Sequence, residues 1–127
     1  MTANPGSEVV GDLARNLVRI NYRGHVGVAE VRACGEAVEK LLPQLRPGFT
    51  VLTDLSGLDS MELDCAADIS RMMDKFRAKG VGVAVRIIPD PTKDIGFNIL
   101  AIVHYRRGVR VVTCRDAAEA ERVLKPG

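Results

Sequence analysis

Aromatic side chains make up only 4% of the 127 residues, so valine, leucine, isoleucine and alanine must fill any core. Cysteine is scarce and unpaired in pattern. Cys34, Cys65 and Cys114 are odd in number, far apart, and form no Cys-x-x-Cys spacing. That argues against a disulfide framework and predicts reduced, buried thiols in a cytoplasmic protein. The two histidines, His25 and His104, are also far apart, which leaves a zinc site without support. No metal and no cofactor are expected. An excess of charge of one sign is lacking too. The 18 Lys and Arg against 16 Asp and Glu leave a net charge of +2, too little to argue for nucleic acid, and no basic stripe is interleaved with aromatics. No apolar run is long enough to span a bilayer. The opening residues MTANPGSEVVGD lack the positive and apolar segments of a signal peptide, so none is expected.

What is present is the balance of an ordinary globular protein: 46% hydrophobic and 27% charged residues, in a length that suits one domain over 1–127. In NLVRINYRG, Asn16 to Gly24, Val18, Ile20 and Tyr22 alternate with Leu17, Arg19 and Asn21, which predicts a half-buried strand closed by a glycine turn. SEVV before it reads as a short partner strand. From Val28 the period changes: Val28, Val31, Gly35, Val38, Leu41, Leu42 and Leu45 fall on one helical stripe, ended by Pro47-Gly48. FTVLTDLSG reads as a buried strand feeding a loop. Cys65, Ile69, Met72, Met73 and Phe76 then recur at helical spacing, with Lys75, Arg77 and Lys79 in the last turn and Gly80 after it. VGVAVRII is a further strand, followed past Pro89 and Pro91 by a helix to about Arg107. The strand VRVVTC comes next, and then the helix DAAEAERVL, where Asp116 and Glu119 have capping-box spacing. Alternating strands and helices predict an α/β fold: a mixed, mainly parallel sheet with packed helices and the first strand antiparallel at an edge.

The stretch RIIPDPTKDIGFNILAIVHY, Arg86 to Tyr105, concentrates polar residues in apolar sequence. Asp90 before Pro91 has the pattern of a helix N-cap, Asp94 suits the first turn, and His104, Arg106 and Arg107 suit the last. The competing reading is a ligand loop of Asp90, Lys93, Asp94 and His104 beyond a strand end, with Lys93 holding an anion. His104 and Cys114 as base and nucleophile lack any surrounding signature; a capping histidine and a buried strand-end cysteine explain them more simply. Asp59, Glu62, Asp64 and Asp68 have the look of a metal cluster. More simply, Glu62 and Asp64 complement a helix start and Asp68 lies on its exposed face.

The segment VLTDLSGLDSMELDCAADISRMMDKFRAKGV, a strand ending in Asp-Leu-Ser, a loop with Met, an amphipathic helix and another strand, resembles the STAS domain of anti-sigma-factor antagonists. VRIIPDPTKDIGFNILAIVHYRRGVRVVTC resembles a SpoIIAA-like, or STAS/SEC14-like, bacterial subgroup. The resemblance covers about residues 17–124. It implies four or more strands, a cytoplasmic bacterial protein and a regulatory role. Antagonists of the phosphoswitch type carry Asp-Ser-Ser-Gly or similar at the start of the helix, and a partner kinase phosphorylates the second serine. Here Glu62-Leu63-Asp64-Cys65 stands there, with Asp64 in place of that serine.

Three functions compete. The first is a non-catalytic protein-interaction module whose surface is a loop holding Asp54, Ser56, Asp59, Ser60, Glu62 and Asp64, with weak homodimerisation. The second is a binder of an apolar or lipid-like small molecule between the sheet and the helices Val28 to Leu45 and Ile95 to Tyr105. The third is an enzyme using His104, Asp90 or Cys114. Asp64 either mimics a phosphoserine or only caps the helix.

Overall fold

A computed structural model describes residues 6–88 and 109–124. Its strands are β1 (Ser7–Asp12), β2 (Leu17–Val26), β3 (Thr50–Met61), β4 (Val83–Ile87) and β5 (Arg110–Cys114), and its helices are α1 (Val28–Leu41), α2 (Cys65–Lys79) and α3 (Ala117–Leu124). The sheet runs β1-β2-β3-β4-β5. β1 is antiparallel to β2, and every other neighbouring pair is parallel. The SEVV segment is therefore the edge partner of β2.

Strand alternation sorts the core onto two faces. Val18, Ile20, Tyr22, Val51, Leu55 and Ala84 point to the side carrying α1 and α2, where Val31, Cys34, Val38, Ile69, Met72, Met73 and Phe76 meet them. Their alternates Leu17, Leu52, Val85, Ile87 and Cys114 point to the other side, under Ala120 of α3. The α2 stripe is the one that its spacing predicts. On α1 the buried residues are Val31, Cys34 and Val38, so Cys34 lies deeper than Gly35. With few aromatics available, the Phe49 and Phe76 rings pair at 5.9 Å with a 58° tilt, inside a core that is aliphatic and sulfur-bearing apart from them and Tyr22.

The helix ends have local causes. The Glu30 carboxylate accepts the Gly27 N–H at 2.6 Å to start α1. Gly80, at φ 103°, closes α2 in the left-handed conformation, and its N–H bonds back to Phe76 and Arg77 carbonyls. The Asp116 carboxylate accepts the Glu119 N–H at 2.8 Å, so Asp116 caps α3, while the reciprocal bond of the expected capping box falls one residue early: the Glu119 carboxylate accepts the Arg115 N–H at 2.7 Å. The helix expected from Pro91 to about Arg107, with its Asp90 cap, lies outside the described residues.

One boundary differs in a way that moves the site. β3 does not end near Gly57; it continues to Met61. Its added residues pair in parallel with the end of β2, Arg23 with Gly57, Gly24 with Leu58, His25 with Ser60 and Val26 with Met61, across two shifts of register. The expected loop from Ser56 to Asp64 is thus mostly strand. Backbone pairing with β2 and the buried Leu58 side chain, 3% exposed, override the turn-like sequence Ser-Gly-Leu-Asp-Ser.

Candidate functional site

The extended ends of β2 and β3, with the first turns of α1 and α2, form one end of the molecule. Asp54 leads into it: its carboxylate accepts both the Ser56 N–H, at 2.9 Å, and the Ser56 hydroxyl, at 2.6 Å. That bonding fixes the Ser56 hydroxyl locally. Two residues past the buried Leu58, the Ser60 hydroxyl lies 2.7 Å from His25 Nδ1, and Glu62 Oε2 lies 3.5 Å from His25 Nε2. The imidazole thus bridges a hydroxyl and a carboxylate, all three exposed. Glu62 leaves the strand with its N–H bonded to the Val26 carbonyl at 3.0 Å. A side chain at Gly27 would lie 2.9 Å from Glu62 Oε1 and 3.1 Å from Glu30 Oε1, so the missing Cβ is what lets the two carboxylates close over the backbone.

Glu62-Leu63-Asp64 then stands out from the surface, all three exposed, with Leu63 at 93%. Asp64 occupies the residue before α2 with helical torsions, φ −62° and ψ −17°, and makes no side-chain capping hydrogen bond. The expectation that it caps the helix therefore fails as a hydrogen-bonding statement. A capping side chain folds back onto the first turn from an extended backbone, and this backbone is already helical. What remains is a bare carboxylate at the positive end of the helix dipole. Cys65, next in sequence, is buried, and its thiol is pushed up by burial and by the carboxylates of Glu62, Asp68 and Glu30.

Asp68 departs from expectation as well. Its side chain is 9% exposed instead of lying on the open face of α2, because Arg32 of α1 approaches to 3.5 Å and Arg71 of α2 pairs with it directly. Lys75 and Glu39 make a second bridge between the helices. These pairs rim an open groove of about 310 Å³ whose floor includes Val31, Gly35 and Met72.

The other expected sites are reached only in part. Asp54, Ser56, Asp59, Ser60, Glu62 and Asp64 share one end of the sheet, although strand pairing and not a loop holds most of them there. Asp90, Lys93, Asp94 and His104 lie outside the described residues. Cys114, of the base-and-nucleophile pair, is 1% exposed, and burial followed by the nearby Glu119 and Asp116 carboxylates pushes its thiol up, which disfavours the nucleophilic thiolate. Between the sheet and α2, a void of about 40 Å³ touches Tyr22, Thr53, Met72, Met73, Phe76 and Arg86. That is the space of roughly one water molecule. Buried Arg86 donates from Nη2 to Thr113 Oγ1 at 2.5 Å. Among the described residues, no three His, Cys, Asp or Glu side chains are arranged to hold a metal ion. No helix among them is long and apolar enough to cross a membrane.

The residue that the sequence reading missed is His25. Its partners are 35 and 37 residues away, and only the parallel pairing of two over-long strands brings them together.

Comparison with solved structures agrees with this architecture. An uncharacterized protein from Shewanella loihica PV-4, of the DUF3478 family with a SpoIIAA-like fold, superposes with a TM-score of 0.73 at 16% identity, over 98% of this chain and 99% of that one. The chain has the SpoIIAA-like fold. The Bacillus cell fate determinant SpoIIAA in its phosphorylated form superposes with a TM-score of 0.64 at 15% identity, covering 93% of this chain and 99% of that one. An anti-sigma factor antagonist from Mycobacterium paratuberculosis gives 0.60 at 10% identity, covering 98% and 100%. No protein-family model and no curated protein matches the chain. The SpoIIAA-like fold accounts for the sequential, mostly parallel sheet and places the Glu62-Leu63-Asp64 step at the junction of β3 and α2.

Proposed function

We propose that the chain is a non-catalytic regulatory module that binds a protein partner through the end of β3 and the first turn of α2. The observation that carries this reading is the exposure of Glu62, Leu63 and Asp64 at the start of α2. The resembling antagonists present their phosphorylatable serine at this place. SpoIIAA itself is known in both an unphosphorylated and a phosphorylated form. Here a carboxylate stands in that position. It carries one negative charge where a phosphoserine carries about 1.5 to 2, and it offers no hydroxyl to a serine kinase. The module is then held in one state, with a constant charge at the helix start. Three buried free thiols suit a reducing cytoplasm.

The test begins with a pull-down from the native host, followed by native mass spectrometry of the complex. With the partner in hand, Asp64→Asn is expected to weaken binding and to leave melting nearly unchanged. Unchanged affinity in Asp64→Asn refutes the phosphoserine mimicry. Phosphate on Ser56 or Ser60 in protein taken from the host refutes the fixed state, because the switch would then have moved along β3.

A further inference from the structure

The exposed Leu63 has a counterpart at the other end of the same molecule. Leu63 stands beyond the carboxyl end of β3, between the exposed Glu62 and Asp64, with exposed Asp59 four residues earlier and His25 against the Glu62 carboxylate. At the amino ends of β2 and β3 a hollow of about 260 Å³ opens, lined by Arg15, Leu17, Thr50 and Leu124. The 12 residues of β3 separate the two features by roughly 35 Å at the usual rise of a strand. Buried Leu17 and half-buried Leu124 together give the hollow an apolar floor.

The rim of the hollow is basic. Arg15 and Arg19 share a single carboxylate, Glu121, at 3.5 and 2.8 Å. Exposed Arg46 stands beside them, its backbone fixed on both sides by the Asn16 side chain, at 2.9 and 3.0 Å. Asp12 is the other acidic group there, and its carboxylate accepts the Arg15 N–H at 3.3 Å. Arg15, Arg19 and Arg46 thus gather with Glu121 and Asp12 at the amino ends of β2 and β3, and Asp59, Glu62 and Asp64 lie within four residues of Leu63 in the chain.

We propose that the acidic Leu63 tip of one molecule docks in the basic, apolar-floored hollow of a second copy. The leucine side chain covers the Leu17 floor, while Glu62 and Asp64 meet Arg15 and Arg46. The two surfaces differ, so every open chain of copies keeps one free tip and one free hollow at its ends, and association runs head to tail along the strand direction instead of closing as a dimer. The contact is small, so it forms at high concentration, and salt weakens it. This inference goes beyond the regulatory reading and does not depend on it.

The experiment is sedimentation velocity of the purified full chain at rising concentration and low salt. Leu63→Asp removes the tip and Arg15→Glu reverses the hollow, with Arg46→Glu as the second hollow variant should Arg15→Glu lose its fold by circular dichroism. Wild type is expected to grow past the dimer without a plateau, and each variant alone to stay monomeric. A mixture of the tip and hollow variants is expected to stop at a dimer of one each, since one keeps its hollow and the other its tip. A wild type that stays monomeric, a plateau at dimer, an associating Leu63→Asp, or a mixture that does not pair would each overturn the proposal.

Discussion

Among the described residues, Asp64 and Asp116 each stand just before an α-helix, and the structure assigns them different work. Asp116 accepts the Glu119 N–H at 2.8 Å at the start of α3. Asp64, before α2, has helical torsions and no capping bond. Asp116→Ala removes a hydrogen bond and leaves an unsatisfied amide, which typically costs about 1 kcal/mol. Asp64→Ala removes only a charge near the helix dipole, worth a few tenths of a kcal/mol for an exposed group and less in salt. Asp64→Lys places a repelled charge there and should cost more than Asp64→Ala. Urea denaturation of the three variants, followed by circular dichroism, measures this directly, since ~1 kcal/mol moves the midpoint clearly for a chain of this size. The expected order of loss is Asp116→Ala greatest, then Asp64→Lys, then Asp64→Ala. An Asp64→Ala variant that loses as much as Asp116→Ala would show that the Asp64 side chain caps α2 in solution, and the charge-only account of that position would fall.

Burial raises the Cys34 thiol from 9.0 to about 11, against a lowering hydrogen bond from Tyr22. The unfolded chain loses this proton first, so stability should be full below about pH 9 and drain by on the order of 2–3 kcal/mol between pH 9 and 11; Cys34→Ala should flatten that part of the pH profile. All three thiols are buried, so iodoacetamide at pH 8 should leave the native chain unmodified and alkylate three sites in denaturant, as read by intact mass. Phe49→Ala should cost about 3–5 kcal/mol, because Phe49 is fully buried and packs at a tilt against Phe76; a loss below 1 kcal/mol in the melting curve would contradict that packing. The hydrogen bond from Arg19 holds the Glu121 carboxyl below its ordinary range, so Arg19→Gln should return its NMR titration towards that range.

Much of the fold is legible in the sequence because local and tertiary preferences agree. Cys65, Ile69, Met72, Met73 and Phe76 recur at helical spacing, and all five are buried. The end of β3 is harder to read. Gly57, Asp59 and Ser60 favour turns, and only the parallel edge of β2, more than thirty residues earlier, extends the strand through them. The same pairing hides the His25–Ser60 contact from any local pattern. Asp68 misleads for a related reason, since its polar type suggests solvent while the arginines that cover it come from two helices. The six acidic and hydroxyl residues of the candidate site were visible as a cluster in sequence; their backbone form was not.

The order of strands in the sheet is also their order in the chain. Each strand that leaves the ribosome therefore meets an edge already laid down by its predecessor, and α1 or α2 arrives in time to cover the step just made. Assembly of this kind grows from one side and needs no strand to be inserted between two others, which keeps the loops that must close short. It also fixes where the nascent chain is vulnerable. Until Arg110–Cys114 is made, the hydrogen-bonding edge of β4 stands open, with the apolar Val83, Val85 and Ile87 lacking α3 on one face. Stalling or truncation before Arg110 should expose that edge to other chains and aggregate the product, whereas loss of β1 from the far side leaves the parallel core to assemble in sequence.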